Sequence, residues 1–265
     1  MPLPPVELAR RVGIPDQDDP LGSYERLGRD SRDLVLAMLP PGWSFEGRRM
    51  LDFGSGAGKV LRHFAAEAEL AELHGCDIDE PSIDWLKREL CPPFHAFRNG
   101  ESPPLDVPDA HYDLVLALSV FTHLTDGWSP WLLELNRVLK DDGLLIATFL
   151  GRAASEVYLG EPYDDDVVGM GVLFPDQDWD AGGPTVFHSE WWLRAHWGRA
   201  FDFVTVRPGV EPGEHGAVLL RKRPVALSVD ELEEPEPYEP RERAAAEHRL
   251  RPPGRLDRLR GRLRR

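Results

Sequence analysis

Asp52, Gly54, Gly56 and Gly58 fall on alternate positions of the run Met-Leu-Asp-Phe-Gly-Ser-Gly-Ala-Gly at 50–58. Glycine lets the backbone turn through positive φ and lets a ligand reach the main chain with no Cβ in the way. An apolar strand running into such a loop, with a helix after it, is where open α/β sheets hold nucleotide-like cofactors. The spacing excludes two loops of this kind. The dinucleotide fingerprint needs its third glycine where Lys59 stands. The phosphate loop needs four residues between its glycines, then Lys and Ser or Thr, whereas here three intervene and Val60 follows Lys59. The bland alternative is a tight strand-to-helix turn in any α/β protein.

What remains, D-x-G-x-G-x-G, resembles motif I of the class I S-adenosylmethionine-dependent methyltransferases. The resemblance implies S-adenosyl-L-methionine as cofactor, bound by Asp52, Gly54, Ser55, Gly56 and Gly58. A second strand then ends in Cys76-Asp77-Ile78-Asp79. A carboxylate at this strand end can accept both ribose hydroxyls. Asp77 is preferred there, because Asp79 precedes Glu80-Pro81 and suits the N-cap of the next helix. Ile78 is placed against the adenine face. After a third strand comes Arg98-Asn99-Gly100-Glu101. The family meets the adenine amino group here with an acidic or amide side chain beside main-chain contacts. That implies Asn99 and Gly100, with Glu101 a competitor and a plain Asn-Gly turn the structural alternative.

The run Ala117-Leu118-Ser119-Val120-Phe121-Thr122-His123-Leu124 is similar to the strand-four signature of small-molecule methyltransferases, and Ser119 is counted with the cofactor contacts. A helix and a V-L-x-x-x-G turn at 138–143 follow, as in that family. The segment lacks the Pro-Pro-aromatic motif of amino-group methylases. Cys91 precedes its proline, unlike the Pro-Cys nucleophile of cytosine carbon-5 enzymes. The acid that the metal-dependent catechol type carries at this strand end is missing too. No metal is expected, since adjacent acids such as Asp164-Asp165-Asp166 do not surround one ion. Arg29, on an N-terminal helix with Tyr24 and Arg26, is the candidate for the methionyl carboxylate; a solvated helix face explains it equally well. The resemblance covers residues 45–150 well and extends loosely to 223.

A sulfonium methyl is already activated, so such an enzyme mainly orients an acceptor lone pair, and an oxygen acceptor also needs a base. His123, just beyond the fourth strand, and His188, opening a helix, are the candidates, each with a capping or core role as the alternative. His196, between Trp192 and Trp197, is read as core.

The elements that must position these residues follow from periodicity. Helical spacing runs from Ser23 to Leu39, and again through Val60, Leu61, Phe64 and Ala68. Strands are expected at 49–53, 73–77, 94–97, 114–118 and 144–150. Helices are expected at 81–90 and from Trp128 to Leu139, the second ended by Asp141-Asp142-Gly143. Residues 203–206 and 217–220 form two strands with no helix between them. The fold class is therefore α/β: a doubly wound, seven-stranded, mostly parallel Rossmann-like sheet with an antiparallel closing strand, similar to the methyltransferase fold. Residues 1–22 read as a flexible leader and 23–224 as the domain. Within it, 151–187 form an irregular insert suited to a lid, and 225–265 are an acidic Pro-rich linker with a basic tail.

The 265 residues carry a net charge of −15. Such acidity argues against nucleic acid as the acceptor. Residues 241–265 hold ten arginines against three acids, with Leu256, Leu259 and Leu263 in helical spacing. That tail suits an anionic membrane surface or an acidic partner. Two cysteines and no secretory pattern fit a reducing, cytoplasmic setting. The function expected is methyl transfer to a small molecule or glycan, on oxygen. The alternatives are a protein or peptide methyltransferase and a non-catalytic cofactor-binding scaffold, with a dehydrogenase as a minor one.

Overall fold

A computed structural model of the chain describes residues 1–12, 18–211, 213–237 and 239. The basic tail at 241–265 lies outside the described residues. The chain divides into two compact units, Met1–Leu118 with Arg137–Ile146, and Ser119–Asn136 with Ala147–Arg265.

Unit one opens with a short helix α1 (Val6–Arg10) inside the expected leader, then α2 (Pro20–Met38). Asp19 starts α2 by accepting the Gly22 N–H at 3.0 Å, with Pro20 in the first turn, where its missing N–H costs nothing. Pro40 then biases Leu39 to its extended conformation and stops the helix. Strands β1 (Arg49–Phe53), β2 (Glu72–Asp77), β3 (His95–Arg98) and β4 (Tyr112–Ala117) follow, with α3 (Glu80–Leu90) between β2 and β3. β1 pairs in parallel with β2 and β4, and β2 with β3. Leu114, Val115, Leu116 and Ala117 are fully buried, as a central strand covered on both faces requires.

The helix expected after the glycine loop is replaced by 3₁₀ turns at Leu61–Phe64 and Glu67–Glu69. The cause is a close crossing by α2. A Cβ placed on Gly28 would lie 2.1 Å from the Lys59 carbonyl oxygen. An α-helix would offer that carbonyl to the His63 N–H; His63 instead donates to Val60 O at 3.0 Å.

α4 (Trp128–Val138) runs into β5 (Leu139–Phe149) without the helical Asp141-Asp142-Gly143 ending that the sequence suggested. Strand pairing claims Leu139 onward, and Asp142 takes a left-handed φ of 62° that Asp tolerates better than most residues.

In unit two the insert at 151–187 is more ordered than an irregular loop. It contains α5 (Arg152–Leu159) and an antiparallel pair, β6 (Met170–Leu173) and β7 (Thr185–His188). Leu150, Ala154, Leu159, Tyr163, Leu173 and Phe187 form its apolar core. The Val186 N–H donates to Thr122 O and the His188 N–H to Leu150 O, both at 2.8 Å. Helix α6 (Glu190–His196) comes next, with Ser189 at its start; the Ser189 hydroxyl donates to Val168 O instead of capping the helix. β8 (Phe201–Arg207) and β9 (Gly216–Lys222) then pair antiparallel. The full sheet order is β3-β2-β1-β4-β5-β9-β8, so the last strand is inserted beside β5 and β8 lies at the edge.

The segment read as a linker packs against unit two as far as it is described. Ser228 and Glu231 form a reciprocal capping box on α7 (Val229–Glu233), and Leu232 is fully buried. The buried His196 places Nδ1 2.9 Å from Leu232 O and Nε2 2.7 Å from Glu239 Oε1. Arg199 adds an ion pair to Glu236 at 2.8 Å. Glu239→Ala therefore leaves the buried imidazole with one polar atom unpaired, and should cost about 1–3 kcal/mol in urea denaturation. An unchanged midpoint would mean that this segment is not part of the folded unit.

Candidate active site

The glycine loop is tied to the end of β2 by successive amides. Gly54 and Ser55 donate their N–H groups to Cys76 O at 2.8 and 2.9 Å, and Gly56 donates to Asp77 Oδ2 at 2.7 Å. The Asp77 Oδ1 accepts the Asp79 N–H at 2.9 Å. Gly54, Gly56 and Gly58 all take positive φ, between 53° and 79°. Gly58 is also constrained sterically, because a Cβ there would sit 2.5 Å from Leu86 Cδ1. Burial pushes the Asp77 carboxyl above its ordinary pKa, against its backbone hydrogen bonds.

Asp79 has other work. It N-caps α3 through Ser82, pairs with Arg11 and is buried. Ile78 follows Asp77, and its carbonyl accepts from Arg98 Nε at 3.2 Å. Asn99 stands just past β3, its N–H bonded to Asp77 O at 3.1 Å. Its Nδ2 donates to Gly100 O at 2.8 Å; since that carbonyl can only accept, the amide orientation is fixed and Oδ1 points elsewhere. That buried Oδ1 has no partner.

Among the other polar atoms buried without partners in this unit are Asp52 Oδ2, Arg62 Nη1 and the Tyr24 hydroxyl. They interact electrostatically, with Arg62 and Asp52 both acting on Tyr24. Burial raises the Asp52 carboxyl to about 7, with the Lys59 ammonium opposing the rise. Arg29, the candidate from sequence, is exposed on α2, whereas Tyr24 on the same helix is fully buried. Arg62 was not singled out by motif reading: only the folding of the 3₁₀ turn brings it here, where its Nη2 donates to Met1 O at 2.7 Å. Val12, two residues past α1, lies over the loop, since a Cβ on Gly56 would come 3.3 Å from its Cγ1. An orphaned carboxylate oxygen, guanidinium nitrogen and amide oxygen around bared main chain can take a ligand that carries both charges and an exocyclic amine.

The remaining candidates belong to unit two. Ser119 adopts φ of 60°, a conformation that costs a non-glycine residue energy. Its N–H donates to Thr148 Oγ1 at 2.7 Å and its hydroxyl lies 3.4 Å from His215 Nδ1. His123 places Nδ1 2.8 Å from Pro184 O. A carbonyl only accepts, so Nδ1 carries the hydrogen and Nε2 keeps the lone pair of a base. Packed protein lowers the His123 pKa, yet the residue as a whole is exposed to solvent. His188 is fully buried beside Trp192 and Trp197, with no hydrogen-bond partner on either ring nitrogen. Burial drives it to about 3, so it is neutral and a poor base at pH 7.

A family model described as "Methyltransferase domain" matches residues 51–145. This region carries a methyltransferase domain, in a sheet with the fold of the S-adenosylmethionine-dependent methyltransferases. Its cofactor is S-adenosyl-L-methionine, which the buried donors and acceptors above fit. Over 134 residues the chain is 28% identical to the fatty-acid O-methyltransferase of Mycolicibacterium smegmatis, covering 51% of this chain and 48% of that protein. The chain thus spans about half the length of this curated relative. Among solved structures, an S-adenosylmethionine-dependent methyltransferase from Mesorhizobium loti aligns with a TM-score of 0.57 at 17% identity, covering 72% of this chain and 96% of that one. The magnesium protoporphyrin IX methyltransferase of Synechocystis PCC 6803, solved with bound S-adenosylhomocysteine, gives 0.56 at 15% identity, covering 82% and 93%. At such identities these two share the methyltransferase fold with this chain.

The raised Asp52 carboxyl has a consequence for stability. An acid whose folded pKa lies above its unfolded value holds its proton longer in the native state, so its contribution is complete below about pH 4 and is lost as pH climbs towards 7. Asp52→Asn removes that loss. Urea midpoints of the cofactor-free variant should gain on wild type progressively from about pH 4 to about pH 7; parallel profiles would contradict the raised carboxyl.

Proposed function

We propose that the protein transfers the methyl group of S-adenosyl-L-methionine to an oxygen of a small molecule or glycan. The observation that carries this reading is the gathering of the glycine loop, Asp77 and Asn99 at the carboxyl ends of β1, β2 and β3. In it, Asp77 receives the ribose hydroxyls and Ile78 the adenine face. The orphaned Asn99 Oδ1 takes the adenine amino group, beside the Gly100 main chain. Asp52 Oδ2 meets the ammonium of the aminoacyl end, a positive charge that would draw the raised carboxyl back to its ionised form. Arg62 Nη1 and the Tyr24 hydroxyl hold the carboxylate, in place of the exposed Arg29.

The cofactor supplies a methyl group on a positively charged sulfur, already reactive towards a lone pair. What the chain adds is orientation and, for a hydroxyl acceptor, removal of a proton. His123 is assigned that proton: its tautomer leaves Nε2 basic, and its lowered pKa keeps it neutral at physiological pH. His188 is too deeply buried to exchange a proton readily, and we assign it to packing among the tryptophans. Ser119, in its strained conformation two residues beyond β4, is assigned to the cofactor side. The name of the mycobacterial relative supports oxygen as the acceptor atom.

Two measurements test this. Asp77→Ala should weaken S-adenosylmethionine binding at least about tenfold by calorimetry, the 1.4 kcal/mol of one charge-assisted contact; equal affinity would remove Asp77 from the ribose. A panel of hydroxyl and carboxyl compounds, assayed for S-adenosylhomocysteine release, should reveal turnover. With a hydroxyl acceptor, His123→Ala should lower kcat about 100-fold or more at unchanged cofactor affinity. The wild-type rate should rise with pH and level off below about 6.5, since burial lowers this imidazole. Unchanged kcat in the variant would take the base role from His123, and no turnover across the panel would favour a non-catalytic scaffold.

A further inference from the structure

At the amino end of β2, away from the glycine loop, stands a cluster that methyl transfer does not use. Among the described residues, Glu72, His74 and His95 each offer a ligand atom within 4.8 Å of the others. Glu72 opens β2 and His74 lies two residues on, so both project from one face of the strand. His95 opens the edge strand β3 and is the parallel partner of His74, with ring centroids 5.1 Å apart. Asp77, by contrast, closes β2 at its carboxyl end.

Two of these side chains are held from behind. The hydroxyl of the buried Tyr112 lies 2.9 Å from His74 Nδ1, which leaves Nε2 facing Glu72 Oε1, also at 2.9 Å. Arg49 Nε donates to the other Glu72 oxygen, Oε2, at 2.8 Å. A phenol behind an imidazole and a guanidinium behind a carboxylate are outer partners of the kind that orient metal ligands. His111 stands beside them, its ring 6.0 Å from that of His74.

We propose that Glu72, His74 and His95 bind a divalent transition-metal ion, zinc in the first place, which ties the edge strand β3 to β2. Two imidazole nitrogens and one carboxylate oxygen are a donor set that zinc accepts, with water completing the tetrahedron. Magnesium and calcium, which require oxygen ligands throughout, are poorly served by it. The ion takes the place of the hydrogen between His74 Nε2 and Glu72 Oε1; a neutral imidazole then keeps its proton on Nδ1, towards the Tyr112 oxygen, and only an imidazolium releases one on uptake. A short, exposed edge strand gains a cross-strand link from it.

The test is titration of the chelator-treated full-length protein with Zn²⁺ against a chromophoric chelator, and with Co²⁺ followed by visible absorption. One equivalent should bind with micromolar or tighter affinity, Co²⁺ should give the spectrum of a tetrahedral nitrogen–oxygen site, and Zn²⁺ should raise the melting temperature. His95→Ala and His95→Gln alter an exposed side chain and should fold normally. Each should lose at least about tenfold in affinity, together with the thermal shift. Absence of stoichiometric binding, or binding that both variants retain, would overturn the proposal. Activity does not enter this test, so its outcome is independent of the methyltransferase reading.

Discussion

Three consecutive amides, those of Gly54, Ser55 and Gly56, are held by the last two residues of β2. Everything assigned to the cofactor end depends on that clamp. It fixes the path of the glycine loop, and it requires a carboxylate at position 77, because Asp77 Oδ2 is what receives the Gly56 N–H. Asp77 thus shapes the loop from the neighbouring strand as well as presenting a charge there. The coupling runs both ways: a change at Asp77 disturbs the loop, and a side chain at Gly58 would be driven into Leu86 and force the loop off its path.

Unit one also holds buried polar atoms without partners. Asp52 Oδ2, Arg62 Nη1, the Tyr24 hydroxyl and Asn99 Oδ1 are buried without partners, at a cost of about 1–3 kcal/mol for each unsatisfied group. On the proposed reading, these are the atoms that a charged, amine-bearing ligand would satisfy.

Much of this was legible in the sequence where chemistry depends on local spacing. The alternating glycines, Asp77 at a strand end and the late pair of strands with no intervening helix all follow from residues close together in the chain, and the structure has the α/β sheet they imply. Asp79 as a helix cap was legible for the same reason. What escaped depends on contacts between distant segments. The stripe from Val60 to Ala68 is helical in period, yet the crossing of α2 at Gly28 turns a carbonyl away and leaves 3₁₀ turns. The insert looked irregular because its apolar residues are scattered in sequence and meet only once β6 and β7 pair. The acidic, proline-rich segment near 230 read as a linker because Leu232 and Glu239 find Unit-two partners that no local pattern announces. His74 and His95 are likewise joined only by strand register.

The central claim is that main chain bared by the glycine loop, with the carboxylate of Asp77 beside it, receives an aminoacyl nucleoside. A crystal structure of the full chain with S-adenosylhomocysteine tests this most directly. The account predicts the nucleoside against Gly54–Gly58, its ribose hydroxyls on Asp77 and its amino group on Asn99 Oδ1. Density for the ligand elsewhere, or a loop closed by its own side chains at saturating concentration, would contradict it.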